Sequence, residues 1–200
     1  MKIYLIDINE DMCKAWTDCI VNHNDQLKTI GPHIEIYNGS FYSFMTHYYP
    51  YTDGYVSPAN SYGLMDGGYD AALTEYFGPD MQRWVQDKIK DECAGEQPVC
   101  SCMPVWLPSG EGYLLHTPTM RVPSKILDPD IIYHCMRSAL LTAKKLNLQG
   151  LVVPAFGAGC GGVGYDVVAK KMIDAIITIA DPPSELTWSY ARWLHPSRLN

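Results

Sequence analysis

The chain has 200 residues, 47% of them hydrophobic, enough to bury one sizeable core, so a single domain is expected over 1–200. Its 22 acids against 15 Lys and Arg give a formal net charge of −7. That balance excludes general binding to a DNA or RNA backbone, which needs clustered cations, but leaves open a small anion held by backbone amides.

A buried strand is expected over 2–8, where Ile3, Leu5, Ile6 and Ile8 form an apolar run and Asp7 lies near the carboxyl end. Asn9-Glu10-Asp11 then reads as a helix start, with Asn9 as the N-cap. Met12, Ala15, Trp16, Cys19 and Ile20 follow at helical spacing. Residues 33–37 alternate like a strand, which Asn38-Gly39-Ser40 ends. The aromatic segment 41–51 reads as a short helix followed by a loop. A strand at 54–57 leads into Ser57-Pro58-Ala59-Asn60, then Gly67-Gly68 and a helix over 70–77 closed by Gly78-Pro79. A second helix is expected over 81–93, with Met81, Trp84, Val85 and Ile89 on one side. Strands over 98–107 and 112–116 flank the hairpin turn Ser109-Gly110-Glu111-Gly112. Residues 117–123 form an irregular loop.

Asp128-Pro129 fits the N-cap and first position of a helix over 128–146. An apolar strand over 150–154 enters the glycine-rich loop 155–164, and a helix spans 165–180 until Asp181-Pro182-Pro183 stops it. A last helix is expected over 184–194, with Trp188 and Trp193 packing back on the domain. Alternating strands and helices predict a three-layer α/β/α domain whose mixed sheet is mostly parallel. Seven scattered cysteines fit reduced thiols in a cytoplasmic protein. Cys100-x-Cys102, in a strand-like run, puts both thiols on one face. No second pair has zinc-like spacing, so no metal is expected. The apolar run at the N-terminus is too short for a signal peptide, and no stretch approaches the roughly 18 apolar residues of a membrane helix.

Two strand-to-helix loops, 57–68 and 155–164, are rich in glycine. In an open α/β sheet such loops border the crevice where ligands bind, and together they can clamp a diphosphate with backbone N–H groups. Neither is a Walker loop, since no Gly-Lys-Ser/Thr is present.

Ser57-Pro58-Ala59-Asn60 with Gly67-Gly68 resembles the macro domain's Asn-Ala-Ala-Asn and Gly-Gly-Gly signature. Val153-Pro154-Ala155-Phe156-Gly157-Ala158-Gly159, followed by Gly161-Gly162-Val163, resembles that family's diphosphate loop. Leu114-Leu115-His116-Thr117 resembles the strand before its third segment, and residues 34–40 resemble its first strand and Gly-Asp-Ile turn. The resemblance covers 33–180, leaving 1–32 as an added N-terminal βα unit and 184–200 as a C-terminal helix. The fuller pattern, with Pro118-Thr119-Met120-Arg121-Val122-Pro123, is similar to a divergent bacterial and phage branch.

The resemblance implies a cleft for ADP-ribose or a related NAD-derived nucleotide, with no cofactor or metal. Asn60 would bond the distal ribose, and Gly67 and Gly68 would line it and the diphosphate. Gly157, Ala158, Gly159, Cys160, Gly161, Gly162 and Val163 would offer N–H groups to the phosphates. Phe156, or an aromatic beyond the loop such as Tyr165, would pack near a ribose. Where the family carries the acid that reads the adenine amino group, this chain has Ser40, and Asp7 could take over that role. The third glycine of the first loop is replaced by Tyr69, which would narrow the pocket or swing as a gate. Hydrolysis at the anomeric carbon needs a positioned water and a base. Asp66 and Asn60 are the catalytic candidates, with Asp70 and His116 behind them. Arg121 could meet an anionic group or sit in a loop salt bridge. Three activities remain open: a binder of ADP-ribose or of ADP-ribosylated substrates; a hydrolase of ADP-ribosyl groups or phosphatase of ADP-ribose 1″-phosphate; and a scaffold that keeps the fold without the ligand.

Overall fold

The computed structural model describes residues 1–48 and 51–194. Along the chain run β1 (Lys2–Asp7), α1 (Glu10–Asn22), α2 (Asn24–Ile30) and β2 (His33–Asn38). A single turn, α3 (Phe41–Ser43), continues as a π-helical segment, Phe44–Tyr48. Next come β3 (Gly54–Ser57), α4 (Gly68–Phe77), α5 (Met81–Cys93), β4 (Met103–Trp106) and β5 (Tyr113–His116). The chain continues through α6 (Asp130–Lys145), β6 (Gly150–Pro154), α7 (Tyr165–Ala180) and α8 (Trp188–Leu194).

The six strands make one sheet in the order β2-β1-β6-β3-β5-β4, parallel except for the β4–β5 hairpin. Side chains alternate across it, as strand geometry requires. Ile3, Leu5, Leu151 and Val153 join a core with α1, α2, α6 and α7, through Trp16, Leu27, Met136 and Ile173. Tyr4, Ile6, Tyr55 and Val152 face the opposite core, built from Phe41, Phe44, Leu73, Val85 and Ile89. Helices thus cover both faces of the sheet, the three-layer arrangement that the alternating pattern predicts. Asn9 caps α1 as expected, its Oδ1 accepting the N–H groups of Asp11 (2.9 Å) and Met12 (3.3 Å).

Several expected boundaries move. Ile8 lies beyond β1 and is 78% exposed, since the strand ends where Asp7 Oδ1 accepts the N–H of Asn9 (2.8 Å). Cys100 and Cys102 precede β4 instead of sharing a strand face. The chain turns there, with Ser101 N–H donating to Pro98 and Cys100 at φ +65°. Pro129 caps α6 and is not its first residue; Asp128 Oδ1 accepts the N–H of Asp130 (3.0 Å). Helix α8 begins four residues later than expected, and Trp188, 79% exposed, does not pack back on the domain. The Trp193 side chain, residues 49–50 of the aromatic segment and residues 195–200 lie outside the described residues. Among the described residues, no helix is long and apolar enough to cross a membrane.

Candidate functional site

Parallel strands bring the carboxyl ends of β1, β2, β3, β5 and β6 to one edge of the sheet, where ligands bind in open α/β folds. The loops leaving these ends enclose a cleft of about 750 Å³.

The first wall is the loop from β3 to α4. Asn60 shapes it: its Oδ1 accepts the N–H groups of Tyr62 (3.1 Å) and Leu64 (3.3 Å), and its Nδ2 donates to the Leu64 carbonyl (2.8 Å). The Asn60 side chain lines the cleft while closing its own turn, which leaves one amide proton for a ligand. Asp66, Gly67 and Gly68 line the cleft beyond it, with Asp66 exposed at the rim. Gly68 takes φ +56°, which admits the chain to α4. The first α4 bond is from Ala71 N–H to the Gly67 carbonyl (3.3 Å), leaving the N–H groups of Gly68, Tyr69 and Asp70 ahead of it.

The opposite wall is the loop from β6 to α7. Gly157, Ala158, Gly159, Cys160 and Gly161 line it. Among the described residues, the N–H groups of Ala158, Gly159, Cys160 and Gly161 donate no backbone hydrogen bond. The loop is tightly wound. A methyl on Gly161 would lie 2.6 Å from the Gly157 carbonyl oxygen, and Gly161 accepts the N–H of Ile126 (3.0 Å). Three residues expected here lie elsewhere. Phe156 is fully buried in the α6–α7 core, so it cannot pack on a ribose. Gly162 and Val163 turn away from the cleft, with N–H groups committed to Gly159 (3.0 Å) and Gly157 (3.2 Å). Tyr165 is also absent from the cleft wall; its hydroxyl accepts from Asn9 Nδ2 (3.0 Å).

Asp7, Gly39, Ser40, Phe41 and Tyr69 close one end. Ser40 Oγ accepts the Ser43 N–H (3.1 Å), so it caps the α3 turn. Asp7 sits beside it on the neighbouring strand, receiving the Gly39 N–H on its carbonyl (2.9 Å). Burial raises the Asp7 carboxyl above its ordinary value, against the N–H groups of Asn9 and Ile8 that favour its charge. Tyr69 does not project as a gate. Its ring meets Phe41 edge-on at 5.8 Å, within an aromatic cluster that includes Tyr55, Tyr76 and Phe77. Its hydroxyl is enclosed without a hydrogen-bond partner, and burial holds it well above the usual phenol range.

Asp70 is the most perturbed carboxyl in the cleft wall. It is 7% exposed, accepts from Ser57 Oγ (2.7 Å), and is pushed up to about 6 by burial, which outweighs that hydrogen bond. His116 is not part of the site. It is fully buried, pairs through Nδ1 with Gln97 Oε1 (2.6 Å), and is held down to about 3 by desolvation. Arg121 forks onto Glu96 at the surface, Nη2 to Oε2 2.9 Å, and does not line the cleft.

Thr119, Met120 and Pro123, from the loop after β5, form a third wall; the run 118–123 carries part of the family resemblance but is not among the expected site residues. The signal was available: β5 runs parallel to β3, so its exit shares the same edge, and Ser61 N–H bonds the Met120 carbonyl (3.1 Å). Among the described residues, no His, Cys, Asp and Glu grouping could hold a metal ion.

Comparisons with known proteins point to one family. The Macro domain family model covers residues 56–172. An uncharacterized protein of Aquifex aeolicus is 29% identical over 127 residues, 62% of this chain and 72% of its own length. One from Aeropyrum pernix is 29% identical over 119 residues, 58% of this chain and 59% of its own length. Among solved structures, the Oceanobacillus iheyensis macrodomain with ADP superposes with a TM-score of 0.58 at 22% identity, covering 66% of this chain and 70% of that one. A mutant of that macrodomain with ADPR gives 0.59 at 20% identity, covering 68% and 74%. At such identities the superpositions speak for the fold.

Proposed function

Since this chain belongs to the macro domain family, we propose that it binds ADP-ribose, or a related NAD-derived nucleotide, in the cleft between its two glycine loops. One observation supports the reading: residues 158–161, whose N–H groups donate no backbone hydrogen bond, line the same cleft as Gly67 and Gly68 at the open first turn of α4. Oriented backbone N–H groups and a helix start favour a diphosphate without any cationic side chain. In this reading the glycine loops hold the diphosphate and the spare Asn60 amide proton meets the distal ribose. Asp7 accepts from the exocyclic amino group of the base, beside a Ser40 hydroxyl already engaged as a cap. Titration calorimetry with ADP-ribose, its 1″-phosphate and NAD tests this, with Asn60→Ala as the control. Strong heat with ADP-ribose, reduced in the variant, is the expected result. Equal binding by Asn60→Ala removes Asn60 from the site, and an inosine analogue bound as well as ADP-ribose removes Asp7.

A second reading, hydrolysis of an ADP-ribosyl bond, is favoured by Asp70. A carboxyl near 6 inside a ligand cleft can take a proton from water near neutral pH and return it to a leaving group. Asp66 is the alternative base at the rim. Release of ADP-ribose from a modified substrate, abolished in Asp70→Ala and retained in Asp66→Ala, assigns the role to Asp70. The converse pattern assigns it to Asp66.

A further inference from the structure

The cleft is acidic. Asp7, Asp66 and Asp70 all contribute to its wall, and among the described residues no Lys, Arg or His does. The ammonium that approaches the second loop, on Lys125, lies over Gly162, which is not part of that wall. The wall thus balances a diphosphate with N–H dipoles alone, and those donors are concentrated in the two glycine loops. The charged side chains of the wall differ in kind from these donors. Asp7 closes one end beside Ser40, and Asp66 and Asp70 flank Gly67 and Gly68. A ligand laid along the cleft with its diphosphate between the loops therefore meets a carboxylate where an additional group projects toward Asp7 or toward Asp66 and Asp70. A further anion there lacks a counter-charge and suffers like-charge repulsion at short range. A guanidinium gains the attraction that the anion lacks, and an uncharged substituent meets no repulsion. The buried Tyr69 hydroxyl, which has no partner, adds an enclosed donor to the same wall but no positive charge.

We infer that the cleft selects an ADP-ribose whose further substituent is uncharged or cationic, such as a guanidinium or nitrogen-linked group, and rejects one carrying a phosphomonoester. This rests on the nucleotide reading above and narrows it: within that reading, the 1″-phosphate is not the preferred ligand.

The test is titration calorimetry of the whole chain at neutral pH with three ligands: ADP-ribose, ADP-ribose 1″-phosphate, and ADP-ribose bearing a guanidinium at the anomeric carbon. The expected result is 1″-phosphate binding about tenfold or more weaker than ADP-ribose, with the guanidinium compound at least as tight as ADP-ribose. Asp66→Asn, at an exposed position with no fold to lose, is expected to narrow the gap between ADP-ribose and its 1″-phosphate. Asp70→Asn, accepted only if its melt stays cooperative, is expected to do the same. Equal binding of ADP-ribose and its 1″-phosphate overturns the inference while leaving the nucleotide reading standing, as does a gap unchanged in both variants. Absence of heat with all three ligands overturns the nucleotide reading, and this inference with it.

Discussion

Asp70 has one hydrogen-bond donor, Ser57, in a wall that shuts out water, and that single bond does not compensate the charge. Raising the carboxyl from 3.8 to about 6 means that ionising it costs the fold about 3 kcal/mol. The native state holds this proton between pH about 4 and 6, where the unfolded chain has released it. The stability it contributes is therefore fully present below about pH 4 and is lost as pH rises through 6. His116 acts in the opposite sense. It stays neutral down to about 3, so below its ordinary 6.5 protons favour the unfolded chain. The two slopes oppose each other between pH 4 and 6. Asp70→Asn, which can still accept from Ser57, is expected to melt higher at neutral pH and to gain stability more steeply between pH 4 and 6. Denaturant melts across that range check both. A variant that melts lower at neutral pH, with an unchanged slope, shows that the charge is compensated. If the chain is a hydrolase, the same variant loses turnover, placing stability and chemistry in opposition at one side chain.

At the scale of elements, the two glycine loops can be separated by what a methyl group meets. At Gly67 it meets nothing within 4 Å, so Gly67→Ala is expected to fold with an unchanged melt, and any fall in ADP-ribose affinity reports the ligand's own approach. At Gly161 it meets the Gly157 carbonyl, so Gly161→Ala must shift the loop. Its affinity loss is expected to exceed about tenfold while the helical signal in circular dichroism persists. Equal affinities for Gly67→Ala, Gly161→Ala and the parent chain would move the diphosphate out of the cleft.

Elements with punctuated ends were readable without coordinates. Strands 54–57 and 150–154 and helices 81–93 and 165–180 fall where Gly, Pro and apolar periodicity agree. Helix α2 carries no such stripe; only Leu27 of its seven residues is buried, so packing and not pattern holds it. The run 98–102 is apolar enough for a strand, yet the turn at Ser101 and the left-handed Cys100 cut it short. At the site, residue type located the loops, but direction was not legible. Phe156 follows an apolar strand and points into the core, and Asn60 turns its amide back on the loop that carries it. Asp70 was visible as an acid in a first helical turn, but its burial comes from packing that no local pattern records.

Over the whole molecule, the cleft draws its walls from loops attached to most of the sheet, so occupation should report on global unfolding. ADP-ribose at about a hundred times its Kd adds about 2.7 kcal/mol to stability. For a chain of this size that corresponds to a rise in Tm of about 5–10 °C. Thermal melts with and without ADP-ribose measure it, and no shift at saturating concentration favours a scaffold that has lost its ligand.

The position of β6 has a consequence for how the chain is made. It pairs with β1 on one side, Lys2 opposite Gly150, and with β3 on the other. Without β6 the sheet is two separate fragments, β2-β1 and β3-β5-β4. β1 therefore waits for a central partner that follows the other described strands along the chain. Such long-range closure raises contact order and is expected to slow folding. The end of the cleft that holds Asp7 meets the loop that holds Gly157 only once β6 has docked. A chain interrupted before β6 has two parts of the cleft wall and no closed cleft, so a ligand held there can stabilise the finished fold but cannot guide its early assembly.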